Sequence, residues 1–300
     1  MALDYDHNWV GRYYVQEATL LGVSLLPSVA YRVNERLSVG ATLNAMYGML
    51  EEKVAINNPL STADGQLKVD DHDWGWGVNL GLLYEVDAGT RFGLVYNSQI
   101  VLNFRSETRF SGLAPGLETV LGSRGLLGAQ LDLGMRVPQG VMGSFYHQMD
   151  DRWALLGSAG WQDWSKFGRV EIGISDTTNP TSTTLDLDFK DTWHTAVGAQ
   201  YRVSEPWLVS FGVAYDSELQ RGDVSPALPA NSAWRFGVGV QNDVSKTFSW
   251  GVSGEYAYAG TLDVDKESQL PVGLGGRGNL DGAFERSGMF FLAATFNWKF

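Results

Sequence analysis

Four histidines, His7, His72, His147 and His194, are the only imidazoles in the 300 residues, and there is no cysteine. Thiolate nucleophiles, thiolate metal sites and disulfides are therefore excluded. A serine hydrolase needs a histidine beside its nucleophile and a partner that orients it. None of the four histidines stands in a recognisable hydrolase motif, so no catalytic residue is assigned. Asp70, Asp71, His72 and Asp73, and separately Asp263, Asp265 and Glu267, carry the oxygen ligands a divalent cation wants. An exposed acidic loop accounts better for both groups, and no metal site is expected. Gly273, Gly275 and Gly278 spell GxGxxG, but a dinucleotide site needs a strand before the motif and a helix after it. Here the glycines fall in a long loop between two strands, and no cofactor is expected. What remains is a set of cations on otherwise modest strand faces: His194, Arg202 and Arg235. They could hold a carboxylate head group, or pair with neighbouring carboxylates such as Glu85 or Glu255.

Those cations sit on stretches with a period of two. Trp193, Thr195, Val197, Ala199 and Tyr201 alternate with His194, Ala196, Gly198, Gln200 and Arg202. Trp234, Phe236, Val238 and Val240 alternate with Arg235, Gly237, Gly239 and Gln241. Trp207, Val209, Phe211, Val213 and Tyr215 alternate with Leu208, Ser210, Gly212, Ala214 and Asp216. Residues 78–86 and 290–300 behave in the same way. Successive strand side chains point to opposite faces. One face is thus large and apolar, and the other is glycine, small or polar. A soluble sandwich would cover its second face with charge. A membrane barrel shows the large face to lipid and keeps the small, polar face for its lumen.

Bulk composition agrees. The chain has 36 glycines, 11 tryptophans, 12 tyrosines and 14 phenylalanines but only 9 prolines, which suits a large antiparallel sheet. A net charge of −12, with no basic cluster, argues against nucleic acid. No apolar run reaches the roughly 18–20 residues of a spanning helix, so a membrane would have to be crossed by strands. The first ten residues have neither a basic n-region nor an apolar h-region, and do not form a signal peptide.

The alternation predicts strands over 20–33, 37–56, 72–86, 90–110, 132–148, 152–176, 184–203, 207–220, 232–243, 247–266 and 286–300, with a kink near 164–168. Short links, such as 87–89 and 204–206, alternate with long ones near 57–71, 111–131, 177–183, 221–231 and 267–285. This is the pattern of short periplasmic turns and longer external loops. The expected fold is all-β, an antiparallel transmembrane β-barrel formed by residues 1–300 as one domain, with 1–19 an external loop. Eleven strands is an odd number, whereas bacterial single-chain barrels have even numbers, so either residues 1–19 contain another strand or strands upstream of Met1 are missing, and the second is favoured.

Three segments carry a family resemblance: Trp161-Gln162-Asp163-Trp164-Ser165-Lys166-Phe167, Phe189-Lys190-Asp191-Thr192-Trp193-His194, and Leu228-Pro229-Ala230-Asn231-Ser232-Ala233-Trp234-Arg235. With the ending Phe296-Asn297-Trp298-Lys299-Phe300, the chain resembles the FadL-type outer-membrane transporters of long-chain fatty acids and other hydrophobic compounds. Residues 9–14 and 27–33 match the way that family enters its fourth strand. The resemblance implies a fourteen-stranded barrel in the cell outer membrane, of which this chain lacks the N-terminal hatch and first three strands. It also implies passive transport of hydrophobic small molecules such as fatty acids or detergents, with no enzymatic step. The implied partners are outer-membrane lipid and the barrel-assembly machinery, the latter reading Phe296, Trp298 and Phe300. A nonspecific porin, or less so a barrel hydrolase, is the alternative.

Overall fold

Alternating sequence becomes alternating exposure over 38–44, 71–82, 192–198 and 233–239. The computed structural model describes residues 2–58, 61, 63–167, 169–175, 181–186, 189–268 and 276–299, with the backbone alone for 169–175 and 181–186. The strands are β1 (Ala2–Asp4), β2 (Glu17–Leu25), β3 (Ser28–Arg32), β4 (Leu37–Ile56), β5 (Gly65–Glu85), β6 (Thr90–Asn97), β7 (Ile100–Glu107), β8 (Arg109–Ser111), β9 (Gln130–Val137), β10 (Gly140–Gln148), β11 (Trp153–Gln162), β12 (Arg169–Ser175), β13 (Thr181–Asp186), β14 (Thr192–Ser204), β15 (Trp207–Asp216), β16 (Ala233–Asn242), β17 (Phe248–Lys266) and β18 (Leu280–Trp298). Two helices, α1 (Pro115–Ser123) and α2 (Trp164–Phe167), lie between them.

All pairings are antiparallel. The main sheet runs β1-β2-β4-β5-β6-β10-β11-β14-β15-β16-β17-β18, with β3 extending the first edge beside β4 and β8 beside β5. Leaving aside the three-residue β1 and β8, and taking β2 with β3, β6 with β7, β9 with β10, β11 with β12 and β13 with β14 as interrupted single runs, gives eleven crossings, as the alternation predicts. The sheet is not closed: among the described residues β18 and β3 have no strand on their outer edges.

The outward face is built for lipid. Leu292 and Phe290 are 87% and 78% exposed, a display that water would not tolerate along a whole strand. A compact soluble chain of 32.9 kDa exposes roughly 12,500 Å², whereas this one exposes 18202 Å². Aromatic rings cap the band at both ends. Trp193, Tyr215 and Trp234 lie toward one rim, and Tyr201, Trp207, Trp250 and Trp298 toward the other. From Trp193 to Tyr201 the strand rises about 26 Å, or roughly 20 Å after a tilt of about 40°. The rings therefore fall at the edges of an apolar band about 25 Å tall, where aromatic girdles belong.

Four neighbouring crossings break at one level, at Ser98-Gln99, Pro138-Gln139, α2 and the stretch between β13 and β14. Pro138 cannot donate to the ladder. Above the break the same strands form a second sheet, β13-β12-β9-β7. It folds back so that its edge strand β7 packs on the face of β4 and β5 opposite the exposed Trp74 and Trp76. There Ile100, Leu102 and Phe104 are buried. A Cβ on Gly75 would lie 2.3 Å from Ile100 and one on Gly77 2.7 Å from it, so the close approach requires glycine at both positions.

Several expectations are corrected. The link expected over 57–71 is shorter, because β5 begins at Gly65. Asp70, Asp71, His72 and Asp73 are therefore strand residues, not loop. Their carboxylates are engaged: Asp73 accepts from the Asn103 backbone N–H at 2.7 Å, Asp71 from that of Arg105, and Asp70 from Arg109 at 2.9 Å. Leu67 and Val69 alternate with Gln66, Lys68 and Asp70, a short apolar set that the acidic run Asp70-Asp71-His72-Asp73 concealed. The loop expected over 111–131 contains helix α1. β18 starts at Leu280, six residues before the expected strand. Asp263 and Asp265 lie in β17, and no cluster able to hold a metal occurs among the described residues. Gly273 and Gly275 lie outside the described residues. Gly278 has φ 75° and accepts a hydrogen bond from the Tyr14 hydroxyl at 2.8 Å. The expected kink near 164–168 contains α2.

At the outer end, the turns between β1 and β2 reach across to the other edge of the sheet. Trp9 and Tyr14 pack against Val224, Leu262, Val264 and Leu280, and Tyr5 donates to the Pro226 carbonyl at 2.8 Å. This strap is anchored to the start of β5. Arg12 Nε donates to Asp64 at 2.7 Å and the Tyr13 hydroxyl donates at 2.6 Å. Burial works to raise the Asp64 carboxyl, but these two donors outweigh it and hold the group below the usual carboxylate range.

Candidate functional site

The lumen side of the wall has a floor of small residues, and the register shows why. One cross-sheet row runs Arg91, Tyr146, Leu156, Gly198, Gly212, Gly237, Glu255. The next row runs Gly93, Ser144, Ser158, Ala196, Ala214, Arg235. Three adjacent glycines leave roughly 14 Å of bare backbone at about 4.8 Å per strand. A Cβ added at Gly237 would meet nothing within 4 Å. The recess over this floor has a volume of about 580 Å³, within the range of small-molecule sites. A second hollow of about 710 Å³ continues toward β18, over Gly239, Ser253, Phe291 and Thr295.

Two of the three lumen cations expected from the sequence meet at one side of this recess. Arg235 places Nε and Nη2 on Glu255 Oε1 at 2.7 and 2.6 Å, and Nη1 on Asp216 Oδ2 at 3.2 Å. His194 Nδ1 lies 2.7 Å from the other oxygen of Asp216. Cross-strand neighbours thus form one quartet, and the expected Arg235–Glu255 pairing is present. Partial burial strengthens such a pair, but the guanidinium then has little left to offer a ligand. Arg202 is elsewhere, near the turn after β14. It donates to the Glu205 carbonyl at 3.0 Å and lies 4.0 Å from Asp243. Glu85 pairs instead with Arg32 at 3.1 Å.

Sequence reasoning missed Arg91, Ser144, Tyr146 and Ser158. Arg91 is the second residue of the strand expected over 90–110, close behind the short turn at 87–89, and was not singled out as an inward cation. The outward set Phe92, Leu94 and Tyr96 was the available signal, because it sends Arg91, Gly93 and Val95 inward. The Arg91 guanidinium carbon sits 4.3 Å from the centroid of the Tyr146 ring. Of the terminal aromatics, Phe296 and Trp298 stack at 6.2 Å on the lipid face of β18, and Phe300 lies outside the described residues.

An aromatic-girdled, lipid-facing antiparallel wall around a recess of small residues defines an outer-membrane transport barrel. The chain belongs to the outer membrane protein transport family described as OMPP1/FadL/TodX, whose family model matches residues 1–300. It is 25% identical over 329 aligned positions to a long-chain fatty acid transport protein of Escherichia coli, covering 100% of this chain and 71% of the relative. It is 26% identical to outer membrane protein P1 of Haemophilus influenzae, covering 85% of this chain and 59% of the relative. The crystal structure of a Pseudomonas aeruginosa FadL homologue superimposes with a TM-score of 0.84 at 21% identity, covering 99% of this chain and 72% of that one. The chain thus spans 59–72% of these three proteins. It is an outer-membrane protein.

Proposed function

We propose that the chain forms, as one barrel domain, the wall of a passive channel for hydrophobic small molecules, with long-chain fatty acids the first class to test. The observation that carries this reading is the recess of about 580 Å³ over Gly198, Gly212 and Gly237, inside a wall whose outer face suits lipid. An alkyl chain lying on bare backbone leaves water at roughly 0.8 kcal/mol per methylene. No bond is made or broken, so the reading needs no catalytic residue and no cofactor. A nonspecific porin would want a wide, charged lumen. Here the floor is glycine, alanine and serine, and Arg235, Glu255, Asp216 and His194 pair with one another. His194 and Asp216 form the base-and-orienter half of a hydrolase triad. Arg235 shares that aspartate, however, and among the described residues no serine hydroxyl hydrogen-bonds to the imidazole.

Lipid on the outer face and the barrel-assembly machinery are the remaining proposed partners, with Phe296, Trp298 and Phe300 as the assembly signal. Deleting Phe300 is expected to lower the fraction of chain assembled in the outer membrane, read by heat-modifiability of membrane fractions. Normal assembly would remove that role. The transport reading is tested by the chain reconstituted in phospholipid vesicles. Saturable binding of a long-chain carboxylate supports it. Ion conductance without binding would replace it with a pore, and ester hydrolysis with an enzyme.

A further inference from the structure

A hydrophobic molecule that ends in a carboxylate brings one charge into the lumen, and some cation must receive it. The Arg235 quartet is poorly suited. Its guanidinium already serves Glu255 and Asp216, and Asp216 is shared with the His194 imidazole. Arg202 lies beyond the recess, beside Glu205 and Asp243. Arg91 is different. It lines the recess and makes no ion pair among the described residues. Its cross-strand neighbour Glu85 is taken by Arg32 at 3.1 Å.

The Tyr146 ring, 4.3 Å away, supports one face of the Arg91 guanidinium. Stacking of this kind orients the fork while leaving its N–H edges free. A carboxylate can take two of those edges side by side. The hydroxyls of Ser144 and Ser158, one row above in the same recess, are further donors. The row then leads from Arg91 over Tyr146 and Leu156 to the three glycines, and ends at Glu255 on the acidic side. The recess is therefore polarised, with a free cation on one side, a carboxylate-rich quartet on the other, and a bare floor between.

We propose that Arg91, stacked on Tyr146, is the residue that selects amphiphiles with an anionic carboxylate head, and that it fixes their orientation with the tail over Gly198, Gly212 and Gly237. This rests on the transport reading, and the experiment separates the two. The chain in phospholipid vesicles is titrated with a long-chain alkyl carboxylate and with the alcohol of equal length. The carboxylate is expected to bind more tightly by about ten- to a hundredfold, the worth of a hydrogen bond to a charged group. Arg91→Gln should bring that ratio close to one while leaving the alcohol's affinity intact, and Arg91→Lys should restore part of it. Arg235→Gln should preserve the ratio. Retention of the preference in Arg91→Gln, or an equal loss of both ligands, overturns the assignment. Failure of the unaltered chain to bind either ligand overturns the transport reading itself.

Discussion

Gly237→Leu is the sharpest perturbation of the recess. Gly237 faces the lumen, and a Cβ there meets nothing within 4 Å. The larger side chain therefore projects into open space without displacing the wall. Leucine brings four side-chain carbons to the place where an alkyl ligand would lie. Displacing about four methylenes at roughly 0.8 kcal/mol each removes about 3 kcal/mol of binding, or roughly two hundredfold in affinity. Folding should be unharmed, or firmer by up to about 1 kcal/mol, because glycine in a strand interior carries an entropic cost. The assay is titration of a fluorescent long-chain carboxylate against the chain in phospholipid vesicles, beside urea unfolding of the same samples. Gly75→Leu is the contrast. Its Cβ would lie 2.3 Å from Ile100, so it should loosen the folded-over sheet and lower the unfolding midpoint. Wild-type affinity in Gly237→Leu, or a loss of stability equal to that of Gly75→Leu, would refute the idea that ligand lies on the glycine floor.

Val197 stands midway between the Trp193 and Tyr201 girdles and is 63% exposed. Val197→Arg should cost roughly 2–4 kcal/mol in lipid, measured by urea titration in vesicles; no cost would contradict a lipid-facing surface. Trp9→Ala removes the ring that stacks on Tyr5 at 4.3 Å and packs on the cluster of Val224, Leu262, Val264 and Leu280. It should weaken the strap by about 3 kcal/mol, seen as faster amide exchange over residues 5–16 with the wall unchanged. The strap should also loosen in acid. Asp64 is held below its ordinary range, so its contribution is present above the unfolded aspartate value of about 3.9. That contribution fades as pH falls through the lower folded value. Proteolytic nicking of residues 5–16 should rise over that window, and Asp64→Asn should nick readily at neutral pH with no further acid step.

The wall was legible because lipid and lumen impose opposite demands on alternate residues. Trp193, Val197 and Tyr201 could be separated from His194, Gly198 and Arg202 by counting in twos, and the glycine-rich inner face followed directly. The folded-over sheet was not legible. Nothing local to Ser98-Gln99 or Pro138-Gln139 says that Ile100 and Leu102 will dock on Gly75 and Gly77, since that contact is set by close approach between distant strands. The β5 extension failed for a related reason: Asp71 and Asp73 cap backbone donors of β7, a tertiary role that looks like loop in one dimension. His194 and Arg235 were visible as inward cations, but the carboxylates that occupy them depend on register across β14 to β17. Arg91 was hidden by its closeness to a turn, and the same register brings it to the recess.

Saturable binding is the most direct test of the account. A labelled long-chain carboxylate should bind the chain in phospholipid vesicles with a plateau, and unlabelled ligand should displace it. Uptake that rises linearly and matches protein-free vesicles would contradict the proposal that this outer-membrane wall encloses a site for hydrophobic molecules.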